Sequence, residues 1–337
     1  MSKLANTAMR LGVSLTFIFS GTVKLNDPVG FALKIEAYFR AFALDFTTLF
    51  LKLMPYSLAM AVAVSLLEVV LGVALLRQLH PKFTLRTLLL LTSFFTCLTF
   101  YTAVFKRVGN CGCFGDALPL TPWQSFAKSV LLLIALSLLY QDRKALQTTL
   151  PLMINLGWII FAGVCALTLG WYTMSRLPII DFRPYKVGNN IVRLTQPRAP
   201  LRHKYFVEKD GQALATLTYP PDTSDRLVKP ELLNPTAKPV ITNFTIWDEQ
   251  GEVTQEVLQG NKLLMIAQHP AQINAETLHR LEGFIHQLHA AVQPVWVVPL
   301  YTKKEDLPIA PAIPLYGASA KLLKTMIRAE LGFVWLQ

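Results

Sequence analysis

Thr87-Leu88-Leu89-Leu90-Leu91-Thr92-Ser93-Phe94-Phe95-Thr96-Cys97-Leu98-Thr99-Phe100-Tyr101-Thr102-Ala103-Val104-Phe105 carries no charged residue. A bilayer-spanning helix takes about 20 largely apolar residues, and this run has that length and composition. Four more segments read the same way, at about 4–24, 57–76, 123–141 and 152–174. Trp123, Trp158, Trp171 and Tyr172 fall near segment ends, as interfacial aromatics do. Lys128 sits close enough to the start of the fourth segment for its long side chain to reach the interface. The first apolar run, Leu11 to Val23, follows Lys3 and Arg10 but lacks a small-x-small cleavage site, so it reads as an uncleaved membrane helix.

The composition agrees. The 337 residues are 53% hydrophobic and 16% charged, against about 25% charge in a soluble domain. The deficit is confined to residues 1–175, and residues 176–337 read as a soluble protein. The net charge of +11 comes partly from residues flanking the helices. It also comes from the stretch 176–210, where Arg176, Arg183, Lys186, Arg193, Arg198, Arg202, Lys204 and Lys209 outnumber Asp181, Glu208 and Asp210. Basic residues just beyond a membrane helix lie against anionic headgroups, each contributing about 1 kcal/mol, so membrane lipid is the expected partner. No nucleic-acid recognition motif is present, and nucleic acid is not expected.

Short-loop basic residues set the expected orientation. With the N-terminus cytoplasmic, the inner segments hold Lys3, Arg10, Arg77, Lys82, Arg86, Arg143 and Lys144. The outer loops hold Lys24, Lys34, Arg40, Lys52, Lys106 and Arg107, more sparsely spread. The first long loop, the loop after Phe105 and the whole C-terminal half then lie outside. In the first long loop, Phe31, Ile35, Phe39 and Phe42 recur on one helical face. They predict either a helix lying in the interface or a packed extracellular helix.

Two features carry chemistry. The first is Asn110-Cys111-Gly112-Cys113-Phe114-Gly115-Asp116, between the third and fourth spans. Exchange needs an exposed, activated thiolate near a partner sulfur, and Cys111 and Cys113 supply the pair. Lys106 and Arg107 stand upstream to favour a thiolate, and Asp116 closes the motif. A redox-active pair and a disulfide that only braces the loop both fit. A metal site needs more ligands than this loop offers. Cys97 and Cys165 fall inside apolar helices and read as small hydrophobes. The second feature is Glu68, the one carboxylate in its span. Such a group is costly unless paired or wetted. A proton path, contact with a quinone headgroup, pairing with a neighbouring helix and reach to water all explain it. No other cofactor is indicated.

Phe19-Ser20-Gly21 with Lys24 and Asp27-Pro28, then Lys34-Ile35-Glu36-Ala37-Tyr38-Phe39, then the cysteine motif with Trp123-Gln124, resemble the DoxX-like superfamily and its MauE (methylamine utilisation) group. Leu177-Pro178-Ile179-Ile180-Asp181-Phe182-Arg183-Pro184-Tyr185-Lys186 is similar to the linker of a Bacteroidetes-type fusion with a C-terminal thioredoxin-like domain. The resemblance implies a four-helix bacterial inner-membrane unit tied to periplasmic thiol–disulfide traffic or to maturation of a partner. It leaves open whether the chain is an enzyme. The implied partners are a periplasmic thiol or client protein and, for electron transfer, a quinone.

The outer half reads as α/β. Asp210-Gly211 between two hydrophobic runs signals a hairpin, and a Pro-rich connector with Pro220, Pro221, Pro230, Pro235 and Pro239 follows. Strands are expected around 244–253, 263–267, 295–298 and 332–336, with helices at 275–290 and 319–329. This order looks thioredoxin-like. The position after Ala267 that would hold Cys-x-x-Cys reads Gln268-His269-Pro270-Ala271, and no cysteine follows Cys165. Such a domain docks a partner and does not exchange thiols itself. A thioredoxin fold would still need a strand and a helix beyond Gln337, so the expectation is a truncated or incomplete domain. His279, Glu282, His286 and His289 share one helical face, which reads as a solvated polar face in preference to a metal site.

The expected organisation is thus a DoxX/MauE-like four-helix membrane domain at 1–145, a fifth transmembrane helix at 150–176, a basic Pro-rich linker with a β-hairpin at 177–240, and a thioredoxin-like domain at 241–337. The leading function is redox through Cys111 and Cys113, with Asp116 and Glu68 supporting. The alternative is a non-catalytic scaffold or assembly factor whose soluble domain recruits a client. Transport of a small apolar solute has only Glu68 in its favour.

Overall fold

A computed structural model describes residues 2–108, 114–118, 120–146, 151–209, 212–216, 226–234, 237–288, 292–302 and 313–336. The chain forms two compact units, Met1–Phe182 and Arg183–Gln337.

The first unit is helical. It comprises α1 (Lys3–Asn26), α2 (Pro28–Asp45), a 3-10 stretch (Thr48–Tyr56), α3 (Ser57–Leu76), α4 (Pro81–Phe105), α5 (Pro122–Gln141) and α6 (Leu152–Ser175). Proline punctuates it. Asp27 precedes Pro28 and leaves the helical region, and its side chain accepts from the Gly30 amide at 3.0 Å, ending α1 and capping α2 in one step. Pro122 opens α5 behind a capping box in which Thr121 and Gln124 satisfy each other's backbone.

Among the described residues, four helices are long and apolar enough to cross a membrane: Thr48–Leu76, Pro81–Phe105, Pro122–Gln141 and Leu152–Met174. The first of the five expected spans, α1, is not among them. At 24 residues α1 has the length, but Asn6, Arg10, Ser14, Ser20 and Lys24 dilute its apolar character. It belongs to the bundle all the same. A Cβ on Gly21 would lie 2.5 Å from the Ser65 carbonyl oxygen, and one on Gly72 would lie 2.8 Å from Ile18. Small residues thus let the α1 and α3 backbones meet, as membrane helices without a hydrophobic drive between them require.

The bundle has two distinct ends. At one, Arg10 donates to the Leu76 carbonyl and Arg77 reaches Asn155 at the start of α6. At the other, Asn26 clamps Ile180 through both backbone groups, at 2.8 and 3.2 Å. The expected stripe in the first long loop is real: α2 buries Phe31 and Phe39 and packs on α3.

The second unit contains α7 (Ile191–Thr195), β1 (His203–Lys209), β2 (Gln212–Thr216), β3 (Arg226–Leu232), β4 (Ile246–Trp247), α8 (Thr254–Val257), β5 (Lys262–Ala267), α9 (Ala275–His286), β6 (Gln293–Pro299), β7 (Leu315–Ala318), α10 (Ala320–Met326) and β8 (Leu331–Leu336). The expected hairpin forms, with Lys209 opposite Gln212. The Pro-rich connector is not all connector. Its β3 pairs with β1 at the edge of a three-stranded sheet ordered β2-β1-β3, and Pro230 is tolerated there because an edge strand can spare a donor.

The larger sheet runs β4-β7-β6-β5-β8. Strands β5, β6 and β7 are parallel, while β8 lies antiparallel on the far side of β5. Central β5 is buried on both faces. Leu264 and Ile266 pack with Leu323 and Met326 of α10, whereas Leu263 and Met265 face the cluster containing Leu281 of α9. Ile191, Tyr185 and Val192 join the α10-side core, so this part of the basic stretch folds with the globular unit and is not free linker. The helix expected at 275–290 ends at His286, and His289 lies outside the described residues.

Candidate functional site

The cysteine motif is only partly within the described residues: Cys111 and Cys113 fall outside them. The two shoulders of the loop are described, and both are fixed to α2. Upstream, Lys106 adopts a left-handed conformation that ends α4. Arg107 then pairs with Asp45 at 3.3 Å, and Tyr101 donates to the other Asp45 oxygen at 2.5 Å. Val108 is buried against Tyr38 and Ala41 of α2.

Downstream, Phe114 packs 5.6 Å from the Phe19 ring and lies under the Lys128 ammonium at 4.2 Å. Lys128 therefore covers an aromatic face at the loop, beyond the simple snorkelling its position suggested. Gly115 takes φ +57, which glycine adopts without strain. Asp116 accepts from Lys34 of α2 at 2.8 Å. One helix thus holds both ends of the loop through opposite charges, Asp45 at its C-terminus and Lys34 in its middle.

Glu68 forms a second centre, and no described contact joins it to Asp116. Lys24 Nζ lies 2.5 Å from Glu68 Oε1, and both side chains are 2% exposed. Among the explanations for this carboxylate, pairing with a neighbouring helix is present in the structure, and its side chain is 2% exposed. Lys24 was read as a loop cation; it lies in the last turn of α1, inside the bundle. The contact of Gly21 with Ser65 and Val69 sets it there, one turn before Glu68's own level on α3. The rings of Phe31 and Phe95 sit 5.0 and 4.9 Å from the ammonium. The sequence held a signal for this pair: one carboxylate in one apolar helix and one lysine at the end of another, three residues past a glycine.

Cys97 and Cys165 are free thiols exposed on the outer faces of α4 and α6. Among the described residues no group of three or more His, Cys, Asp or Glu side chains gathers at metal-binding distance, and His279 stands with Glu282 at 3.9 Å.

Residues 1–141 match the family model described as Methylamine utilisation protein MauE. Protein TlpB of Flavobacterium psychrophilum is 27% identical over 135 residues, which is 39% of this chain and 35% of TlpB. The matched part thus spans about a third of the length of that curated relative. No solved structure matches. The family match over 1–141 and the four apolar helices together support a multi-pass membrane protein whose N-terminal part is similar to the MauE family.

Proposed function

We infer that the chain works in thiol–disulfide traffic at the outer face of the bacterial inner membrane, with Cys111 and Cys113 cycling between dithiol and disulfide. The observation that carries this reading is the double anchorage of the loop that bears them, by Arg107–Asp45 and Lys34–Asp116. Both described shoulders of the loop are tethered to α2, and the basic residues in and beside its sequence, Lys106, Arg107 and Lys128, would favour the thiolate that attacks. In the exchange, a thiolate of the reduced pair attacks a disulfide of an outside protein. One client thiol leaves, a mixed disulfide forms, and the second cysteine resolves it; the client is reduced and the pair oxidised.

The globular unit serves as the docking module for that client. Its parallel β5-α9-β6 unit with β8 antiparallel beside β5 supports a thioredoxin-like reading. The lack of any cysteine after Cys165 leaves it without exchange chemistry of its own. The orientation that places the loop outside is supported by the bundle's ends. Asn26, α2, the loop shoulders and Ile180 share one end, while Arg10, Arg77, Arg86 and Arg143 gather towards the other.

The test is labelling of intact cells with a membrane-impermeant maleimide, with and without prior reduction, alongside Cys113→Ser. The expected result is a partly oxidised pair, labelled from outside, and a client trapped through Cys111 in the variant. A pair locked as disulfide under all conditions, with nothing trapped, leaves a scaffold whose disulfide braces the loop. Labelling only after permeabilisation overturns the orientation.

A further inference from the structure

At the end of the bundle opposite Asn26, three basic side chains converge on one phenol. Helices α4 and α5 run side by side in opposite directions, so the start of one meets the end of the other there. Arg86, in the second turn of α4, donates from Nε to the Tyr140 hydroxyl oxygen at 2.9 Å. Arg143, in the 3-10 turn Arg143–Ala145 after α5, lies 4.4 Å from the centre of the same ring and donates to the Tyr140 carbonyl at 2.8 Å. Lys82, one turn before Arg86 on the same face of α4, adds its charge to the same phenol. We propose that Lys82, Arg86, Arg143 and the Tyr140 hydroxyl hold the phosphodiester of an anionic phospholipid.

Charge calls for an anion. Among the described residues no carboxylate pairs with any of the three cations. The charges that reach the phenol are all positive, and Asp142, next to Arg143 in the chain, is not among them. The ring attracts each guanidinium but neutralises neither. Like charges gathered at one place repel, and an anion among them turns that repulsion into attraction.

Donor geometry calls for phosphate oxygens. A guanidinium carries five N–H donors in a rigid fork. Arg86 uses one on the Tyr140 hydroxyl and Arg143 uses one on the Tyr140 carbonyl, so both keep donors for the bidentate contact that phosphate accepts. The Tyr140 oxygen accepts from Arg86, which leaves its own O–H to donate to the same anion.

Position in the bilayer selects a lipid over free phosphate. Tyr140 closes the span Pro122–Gln141 and Arg86 lies near the start of the span Pro81–Phe105, at the level where tyrosine and basic residues meet headgroups. Leu90 and Phe94 continue the Arg86 face at i+4 and i+8 and are 74% and 57% exposed. The acyl chains of a lipid held at Arg86 run along that strip, from which a free phosphate gains nothing. The site stands at the opposite end of the bundle from the basic stretch 176–210, whose Ile180 is held by Asn26.

The test is native mass spectrometry of the full chain in a neutral detergent, titrated with dioleoyl phosphatidylglycerol, with dioleoyl phosphatidylcholine and with inorganic phosphate. The two lipids share their chains and differ in headgroup charge. Each basic residue at a headgroup contributes about fivefold in affinity. The wild type should bind one phosphatidylglycerol about tenfold or more tighter than phosphatidylcholine, and millimolar phosphate should not displace it. In Arg86→Gln/Arg143→Gln the preference should vanish, with phosphatidylglycerol bound about 25-fold more weakly. Lys238→Gln/Lys321→Gln removes two charges from exposed lysines of the globular unit and should change nothing. Equal affinity of the wild type for the two lipids would overturn the proposal. So would an unchanged preference in the double arginine variant. Displacement by millimolar phosphate would overturn the lipid assignment and leave a free-phosphate site. The wild-type comparison needs no variant to fold, and nothing in it involves Cys111 or Cys113.

Discussion

Lys24 Nζ and Glu68 Oε1 stand 2.5 Å apart between α1 and α3, and neither side chain is more than 2% exposed. Among the described residues, Glu68 Oε2 is buried with no hydrogen-bond partner and Lys24 is the charged group that pairs with the carboxylate. Removing one member of such a pair leaves a buried charge uncompensated and costs about 3–5 kcal/mol, whereas replacing both by apolar residues is close to neutral. Lys24→Met should therefore lower the melting temperature sharply. Lys24→Met/Glu68→Leu should recover most of the loss in the same detergent, measured by near-UV circular dichroism.

The α1–α3 contact is what brings that pair together. A side chain at Gly21 would collide with the Ser65 carbonyl and with Val69, at 2.5 and 2.7 Å from the first added carbon. Gly21→Val should destabilise the bundle by about 1–3 kcal/mol through overpacking. Gly12→Ala is the control, because nothing lies within 4 Å of its added carbon. Thermal unfolding of the two variants side by side checks the contrast.

The Lys34–Asp116 pair behaves differently. Its side chains are 18% and 37% exposed, and exposed pairs contribute under about 1 kcal/mol. Asp116→Asn should leave the melting temperature almost unchanged. It should speed maleimide labelling of Cys111 and Cys113, since one tether of their loop is gone. Equal labelling rates would remove Asp116 from the site.

Burial holds the Tyr185 phenol well above the usual tyrosine range. The fold thus favours the protonated form, and the unfolded chain ionises first. The stability this contributes is complete below the unfolded value of about 10 and falls as pH rises beyond it towards the folded value. Tyr185→Phe should flatten stability against pH in that range, as followed by thermal unfolding of the full chain from pH 8 upward.

Much of this architecture was legible because long uncharged runs permit few structures. Residues 87–105 had to be a buried or membrane helix, and the Phe31–Ile35–Phe39–Phe42 spacing had to be a helical stripe. Asp210-Gly211 fixed the pairing of β1 with β2. What escaped depended on tertiary partners. Lys24 follows an apolar run, where a lysine ordinarily marks the water side, and only the close approach at Gly21 turns it inward. Pro230 reads as a connector until β1 is known to lie on one side of it and nothing in the sheet on the other. Tyr185 and the short run Ile191-Val192 lie in a basic stretch, and no longer periodicity announces that they enter the core.

Helix α2 has one face and two anchors. Phe31, Phe39 and Phe42 wall a small apolar cavity, while Lys34 and Asp45 hold the shoulders of the cysteine loop. Two sites built on one rigid rod share its position as a common variable. Whatever free energy an occupant of the cavity spends in shifting α2 is felt at the loop. By linkage, any group bound at the loop would alter affinity at the cavity by the same factor in reverse.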